Sequence, residues 1–404
     1  MSKKNLLWVS YFVPYDKVQH AGGKIHNFYL KGIQKTGKYN IKLLTCAKEE
    51  ELDSIDLDKA EIEYHLYISR KTEKFKTFVE KVDYWSFWRT RSGFTSRYKR
   101  DFFINSLLDL KNSGYAPDVI VLQWTQVVLI ESEIKKIYPH VPVICIEEDV
   151  SYQSFYRRYL HEKNLVKKFL RKMVYLQLKK LELECLRRAD LIILNNSKDK
   201  KMLNEQSIDN IWVWTPYFQD FSYKEHLGDR NELLFYGAMS RDENWKSVIW
   251  FVDNVLPYIK NKEVKLVVVG GNPHKELLKI NNPRVELTGY VDDVSEYFSR
   301  SKCLVAPLVL GAGVKIKVLE AMSAGLPVIT NNIGIEGISA KDRIDYFHCE
   351  TPDEYINVIN AILDDCYDLR EISMNSKNVI RTNYDIDKSL GLFDLELDRL
   401  SVKK

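Results

Sequence analysis

No apolar run in this 404-residue chain approaches the ~18–20 residues that a membrane-crossing helix needs, which excludes a polytopic helical membrane protein. Cysteine is sparse: Cys46, Cys145, Cys185, Cys303, Cys349 and Cys366 are scattered, with no Cys-x-x-Cys pair and no histidine at metal-ligand spacing. That pattern excludes a zinc ribbon or a disulfide framework and suits reduced, buried thiols. Charge of one sign is not in excess either, because 60 Lys+Arg face 56 Asp+Glu for a net +4. With 45% hydrophobic and 29% charged residues, the composition also excludes a disordered or collagen-like chain. A cleavable leader is not expected from the opening residues: Leu6 to Val13 is too short an apolar run, and Pro14-Tyr15-Asp16 stands where small residues would be required. A buried first strand is expected there, in a cytoplasmic protein that is at most peripheral at the inner face of the plasma membrane.

What is present is length and alternation. A single core stops growing at roughly 250–300 residues, so two domains are expected. Short apolar runs alternate with helical patterns, the mark of a parallel α/β architecture. Leu6 to Val13, Ile41 to Cys46, Val119 to Leu122, Val141 to Ile146 and Leu191 to Leu194 read as strands of the first half. Glu232 to Tyr236, Val264 to Val269, Arg284 to Leu287, Cys303 to Pro307 and Val328 to Thr330 read as strands of the second. The break is placed after Thr215, at Pro216, giving domains 1–215 and 216–382, with residues 383–404 as a closing helix that packs back toward the first. Charge divides along the same line. Up to Thr215 there are 37 Lys+Arg and 27 Asp+Glu, a balance of +10, so the remainder carries −6.

Two segments concentrate the positive charge. Arg70 to Arg100 holds ten Lys/Arg among Phe75, Phe78, Tyr84, Trp85, Phe87, Trp88, Phe94 and Tyr98. Arg157 to Arg188 holds eleven, with Leu165, Phe169, Val174 and Leu178 at helical spacing. One reading makes these solvated helices whose apolar stripes enter the core. The other makes them a surface for anionic lipid headgroups or a charged acceptor, since basic and aromatic residues together suit a membrane interface. Nucleic acid is not expected as a partner, because no recognition motif accompanies the charge.

The chemistry-bearing stretch runs from Leu308 to Thr330. A strand ending at Ala306-Pro307 leads to Gly311-Ala312-Gly313-Val314, then to a helix opening near Lys315 and closing at Gly325, then to another strand. Glycines at a strand-to-helix turn let backbone N–H groups approach an anion, and the helix start adds partial positive charge. Lys315 and Lys317 have the wrong sign for that dipole unless an anion sits there, which points to a diphosphate. Glu320, one turn beyond Lys317, is placed to accept hydrogen bonds from ribose hydroxyls. The bland alternative is a tight turn with a solvated glutamate.

The string Gly311 to Thr330 resembles the donor-site signature of GT-B glycosyltransferases, particularly the family 4, Glyco_trans_1 type. Other segments resemble that family in order: Ala21-Gly22-Gly23, Arg187 to Leu191, Leu233 to Met239 with Gly237, Val267 to Gly271, and Leu287 to Asp293 with Tyr290 and Val291. The resemblance implies two doubly wound Rossmann-like domains facing a cleft, with a C-terminal helix crossing back. It implies a nucleotide-sugar donor (UDP-, GDP- or dTDP-linked) on the second domain, a glycan or lipid-linked acceptor on the first, and no cofactor or metal. By analogy Lys315 and Lys317 neutralise the diphosphate, Glu320 holds the ribose, and Gly22 and Gly23 lie near the sugar. Retention of anomeric configuration and a role in bacterial surface polysaccharide assembly are family habits. A sugar-nucleotide epimerase and a non-catalytic membrane-associated partner of the same fold are the alternatives.

The chain departs from the pattern at Gly237-Ala238-Met239, where the family often has an arginine, and at Asn244, where a lysine is usual; Arg241 or Lys246 could substitute. Ala312 stands where the first glutamate of a Glu-x7-Glu pair is expected, leaving backbone amides to serve. On the acceptor side, Glu147-Glu148-Asp149 ends an apolar strand, so Glu148 and Asp149 are the candidate catalytic carboxylates, with helix capping as their plainer role. His20 and His26 flank the glycine loop without a partner motif.

Overall fold

The computed structural model describes residues 3–18, 20–70, 74–85, 94–311 and 313–402. Their contacts divide into two compact units, one of Met1–Trp214 with Asp387–Lys404 and one of Thr215–Ile386. Among the described residues, the first unit contains a seven-stranded sheet: β1 (Lys4–Ser10), β2 (Tyr39–Lys48), β3 (Glu63–Ser69), β4 (Val119–Gln123), β5 (Val143–Glu147), β6 (Leu191–Leu194) and β7 (Ile211–Val213). Their spatial order is β3-β2-β1-β4-β5-β6-β7, every pairing parallel. The second unit has a six-stranded sheet of β8 (Arg230–Tyr236), β9 (Lys265–Val269), β10 (Val285–Gly289), β11 (Ser301–Ala306), β12 (Val328–Thr330) and β13 (Phe347–His348). Its order is β10-β9-β8-β11-β12-β13, again parallel throughout.

Burial on both faces explains why the central strands are unbroken apolar runs. Ile120 to Leu122, Val143 to Ile146 and Leu233 to Leu234 are fully buried. β3, β7 and β13 were not foreseen. β3 lies at an edge and reads Glu63-Tyr64-His65-Leu66-Tyr67-Ile68-Ser69, with every residue half-buried or exposed. β7 and β13 have three and two residues, too short for a pattern.

The closing helix, Ile386–Ser401, is tied to the first unit by aromatic packing and polar clamps. Phe393 is fully buried against Trp8, Tyr29, Trp212 and Trp214, with ring centroids 5.6–6.4 Å away. The Tyr29 hydroxyl donates to Ser389 Oγ at 2.6 Å, and Lys4 Nζ bonds Asp398 at 2.9 Å. Lys38 and the Tyr39 hydroxyl reach Asp394 and Asp398 beside it.

The apolar stripe expected to enter the core from Leu165 to Leu178 does so only in part. In the helix Leu165–Leu186, Val174 and Leu178 are buried, but Leu165 and Phe169 stand exposed. A 3.6-residue turn puts Leu165 and Phe169 on the side of the helix facing away from Val174 and Leu178, so the four cannot share a buried face. In the other basic segment, Lys71, Phe87, Trp88, Arg89 and Arg91 lie outside the described residues; Phe75 and Phe78, on the helix Lys74–Trp85, are exposed.

Truncating Phe393 removes the ring that four other aromatic rings enclose. Phe393→Ala is expected to destabilise the first unit by about 3–5 kcal/mol, while the exposed neighbour Leu395→Ala changes stability by about 0.5 kcal/mol or less. Denaturant unfolding followed by tryptophan fluorescence checks both, since Trp8, Trp212 and Trp214 report on this packing.

Candidate functional site

In an open parallel sheet, helices leave in opposite directions where the strand order reverses, and a crevice opens at the carboxyl ends of the two strands there. The reversal falls at β1/β4 in the first unit and at β8/β11 in the second. Most of the candidate residues follow these strands.

In the first unit, the helix Ala21–Lys35 begins after β1, capped by His20, whose Nδ1 accepts from Gly23 N at 3.0 Å. A Cβ at Gly23 would lie 2.5 Å from Val18 Cγ2 and 2.8 Å from the His20 ring, so only glycine fits under the cap. A Cβ at Gly22 would lie 3.2 Å from Glu148 Cγ and 3.3 Å from Trp124 Nε1, which brings the glycine loop, β4 and β5 to one place. Trp124 holds φ 75°, ψ 144°, a conformation that costs a non-glycine residue roughly 1–3 kcal/mol. That backbone turn ends β4 with the indole beside Phe12, 5.0 Å between ring centroids.

Glu148 is the hub. Gln123 Nε2 donates to its Oε1 at 2.8 Å, and Asn195 Nδ2 to its Oε2 at 2.9 Å. Asn195 also donates to the Glu148 carbonyl at 2.9 Å and receives Trp214 Nε1 at 2.6 Å. Burial pushes the Glu148 carboxyl up to about 7; the amides of Asn195 and Gln123 pull the other way, and Asp149 adds to the rise. Asp149 is half-buried next to it. Glu147 points elsewhere: it is fully buried and accepts from the Thr125 hydroxyl, which also meets Ser151 Oγ at 2.7 Å. His26 is fully buried between Trp8 and Trp124, and desolvation lowers it to about 3, so it is a neutral core ring at ordinary pH.

The second unit gathers cations. After β11 the chain passes Gly311 at φ 133° and Gly313 at φ 71°, then Val314, and enters the helix Ile316–Ala324 with Lys315 at its cap and Gly325 closing it at φ 76°. Ala312 lies outside the described residues. Lys315 Nζ donates to Gly313 O at 2.5 Å and lies 3.8 Å from Glu336, and a Cβ at Gly311 would meet Lys315 Cε at 3.2 Å. Lys317 Nζ donates to Asn244 Oδ1 at 2.5 Å and sits 4.8 Å from the Phe235 ring centroid. A Cβ at Gly237 would lie 2.9 Å from Asn244 Nδ2 and 3.0 Å from Lys317 Nζ, so this glycine makes room for the pair. Gly270 is as constrained, because a Cβ there would stand 1.7 Å from Gly237 O. Burial lowers the Lys317 ammonium to about 7, with Glu243 opposing and Arg241 and Lys315 reinforcing the fall.

The substitutes suggested for the missing family cations are engaged on their own helix. Arg241 caps Asp242–Asn254 and pairs with Glu243 at 2.5 Å, and Lys246 pairs with Asp242 at 2.5 Å. Asn244 instead orients Lys317. Glu320 is buried; its Oε1 accepts from Gln219 N at 3.3 Å, and its carboxylate faces the phenol of the half-buried Tyr236. Tyr290 is exposed after β10, with Val291 half-buried beside it, and a Cβ at Gly271 would touch Tyr290 Cβ at 3.3 Å. Among the described residues, no group of three or more His, Cys, Asp or Glu is arranged to hold a metal ion, and no helix is long and apolar enough to cross a membrane.

Residues 230–365 match the family described as glycosyl transferases group 1. This segment is similar to a group 1 glycosyltransferase domain. Beyond it, the chain is 24% identical over 213 residues to an uncharacterized 44.6 kDa protein in the cps region of Klebsiella pneumoniae, covering 48% of this chain and 55% of that one. It is 26% identical over 252 residues to the UDP-Gal:alpha-D-GlcNAc-diphosphoundecaprenol alpha-1,3-galactosyltransferase of Escherichia coli, covering 56% of this chain and 64% of that one. The chain thus spans between half and two thirds of the length of these relatives. Solved structures extend over the whole chain. Anabaena Alr3699/HepE in complex with UDP superposes with a TM-score of 0.68 at 12% identity, covering 98% of this chain and 100% of that one. Sucrose-phosphate synthase from Thermosynechococcus elongatus gives 0.70 at 13%, covering all of both. The fold of the chain is therefore GT-B, an α/β architecture of two parallel-sheet units.

Asn195, Gln123 and Trp214 were missed by the sequence reading, although a signal existed. Gln123 and Asn195 each follow an apolar strand core directly, the position that singled out Glu147 and Glu148. Glu336, the partner of Lys315, had none.

The raised Glu148 carboxyl has a measurable consequence for stability. The group ionises near its ordinary 4.5 in the unfolded chain and near 7 in the folded one, so the folded state holds the extra proton between those values. Stability therefore falls as pH rises across that window, by up to roughly 3 kcal/mol from this group. Glu148→Gln removes the ionisation, and thermal unfolding from pH 4.5 to 8 should show a shallower decline for the variant than for the parent.

Proposed function

We propose that the protein is a glycosyltransferase that moves a hexosyl group from a UDP-sugar to a glycan or lipid-linked acceptor in surface polysaccharide assembly. The observation that carries the reading is the convergence of Lys317, Asn244 and Gly237 at the β8/β11 reversal inside the segment similar to a group 1 glycosyltransferase domain. Support for UDP comes from the Alr3699/HepE structures in complex with UDP and UDP-glucose. Support for the acceptor class comes from the Escherichia coli relative, named for a diphosphoundecaprenol-linked sugar.

Transfer breaks the bond between the anomeric carbon and the diphosphate oxygen and joins that carbon to an acceptor oxygen, whose proton must leave. The departing diphosphate carries the charge, so cations held close to it stabilise the transition state more than the ground state. Lys317 and Lys315 are those cations in this reading. The amides of Gly313 and Val314 stand in for the absent first glutamate. Glu320 fixes the Gln219 backbone and the Tyr236 phenol while presenting its remaining lone pairs to the ribose. On the first unit, Glu148 is the group that takes the acceptor proton, because a carboxyl near 7 can accept one and release it again at neutral pH. Asp149 raises its proton affinity, and Gly22 lets the loop after β1 approach it closely, with Gly23 seated under the His20 cap.

A panel of UDP-, GDP- and dTDP-sugars with a lipid-linked acceptor tests this. Turnover is expected with a UDP-hexose. Lys317→Gln should lower kcat/KM by on the order of 100-fold, an oxyanion-type loss, and Glu148→Gln should lower kcat by at least about 100-fold with little change in donor KM. UDP binding without turnover of any linked sugar would instead favour the non-catalytic reading.

Lys317 also predicts a pH dependence. At pH 7 about half of the free protein carries it neutral, and a diphosphate binds the charged form, so UDP binding should take up about half a proton there and weaken as pH rises to 8.5. Calorimetry in buffers of different ionisation heat measures the uptake, and Lys317→Arg should abolish it.

A further inference from the structure

The helix Ser151–Leu160 and the helix Leu165–Leu186 form a hairpin whose turn is fixed by its own polar groups. Asn164 Oδ1 accepts from Lys167 N at 3.0 Å, and Glu162 Oε1 accepts from Asn164 N at 3.0 Å. Val174 is the first buried residue of the second helix, so its opening turns contribute nothing to the core. Yet those turns carry large apolar side chains: Leu165 is 81% exposed, Val166 71% and Phe169 60%, with Leu160 and Leu176 also exposed. At 3.6 residues per turn, Leu165, Phe169 and Leu176 line one outward stripe. Single exposed leucines are ordinary, but an apolar stripe at the tip of a projecting hairpin is the kind of patch that marks a contact surface.

The charge around the stripe identifies what it contacts. From Tyr156 to Lys172 there are seven Lys/Arg and one acid, Glu162, which pairs with Arg171 at 3.1 Å. Lys163, Lys167 and Lys172 are exposed, and Lys168 sits 5.7 Å from the Tyr159 ring centroid. Long lysine stems lie along apolar side chains while their ammonium groups stay in water, so apolar groups point ahead with cations around them. A protein partner of complementary shape would be expected to ask for a few placed polar contacts. A dense, one-signed collar around unspecific apolar side chains suits an anionic lipid surface, where headgroups meet the cations and acyl chains receive the leucine and phenylalanine. A second copy of the chain is disfavoured, because two such tips would repel.

We propose that the Tyr156–Leu176 hairpin tip is a membrane-docking element that inserts Leu165, Val166 and Phe169 at the headgroup boundary of an anionic bilayer. It reaches beyond the transfer reaction and stands or falls without it. Flotation of the full chain with phosphatidylcholine vesicles, with and without phosphatidylglycerol, is the test. The wild type should partition at least about tenfold more onto the anionic vesicles and be released by high salt. Leu165→Ser/Phe169→Ser should lose at least about tenfold in partition with an unchanged unfolding temperature, since neither residue is buried, and Lys167→Glu/Lys168→Glu should lose the preference for anionic lipid. Leu395→Ser, an exposed apolar residue on the closing helix, should float like the wild type. Equal recovery on neutral and anionic vesicles, or undiminished flotation of Leu165→Ser/Phe169→Ser, overturns the proposal. So does a concentration-dependent mass that Leu165→Ser/Phe169→Ser abolishes in a protein that does not float.

Discussion

The constraint on which both units depend is that a parallel strand must be re-entered from the same end. Each connection therefore crosses a face of the sheet, and almost always with the same hand. Where strand order runs outward in both directions from one strand, successive crossovers fall on opposite faces, and the loops at the carboxyl ends on either side part. β1 and β8 are those strands here. The loops after β1, β4 and β5 bring Gly22, Trp124 and Glu148 together, and those after β8 and β11 bring Gly237, Asn244 and Lys317 together. Such a reversal leaves backbone ends beside a gap, so topology makes it the expected place for a ligand before any side chain is chosen.

Side chains then set the electrostatics, and in both units burial does so in opposite senses. Glu148 is a carboxyl made reluctant to ionise, and Lys317 an ammonium made reluctant to stay charged; each is brought close to 7 mainly by desolvation. Neither is held by a strong countercharge: Glu148 has two neutral amides, and Asn244 gives Lys317 a neutral oxygen. A close carboxylate would have fixed Lys317 in its charged form and cancelled its field. A neutral asparagine orients the ammonium without neutralising it, which is a physical reason for Asn244 at this position. Lys315 contrasts with it, since Glu336 lies 3.8 Å away.

Much of this was legible in the sequence, for identifiable reasons. The central strands are buried on both faces and are therefore continuous apolar runs, and the helix from Ile316 is bracketed by glycines whose positive φ values, 71° at Gly313 and 76° at Gly325, few other residues tolerate. β3 was hidden because an edge strand with one wet face does not read as a run, and β13 because two residues make no pattern. The Glu148 network was half visible: Glu148 is marked by its place at the end of β5, but Gln123 and Asn195 become its donors only when β4 and β6 line up on either side. Glu336 meets Lys315 through the loop after β12, a long-range closure that no local pattern signals.

The helix Leu165–Leu186 shows where a periodic pattern misleads and what replaces it. Leu165, Phe169, Val174 and Leu178 are each about a turn from the next, so a short window reads them as one stripe. Over the whole span, however, the steps of four, five and four residues drift around the helix by half a turn. The core claims only the later half, where Val174, Leu178 and Leu183 are buried. The earlier half keeps its apolar residues on the opposite side, in water, against the ordinary preference that would have replaced them with polar ones. An energetic cost of this kind, concentrated at one tip and collared by one sign of charge, is better accounted for by a surface that receives those side chains than by the packing of the unit itself.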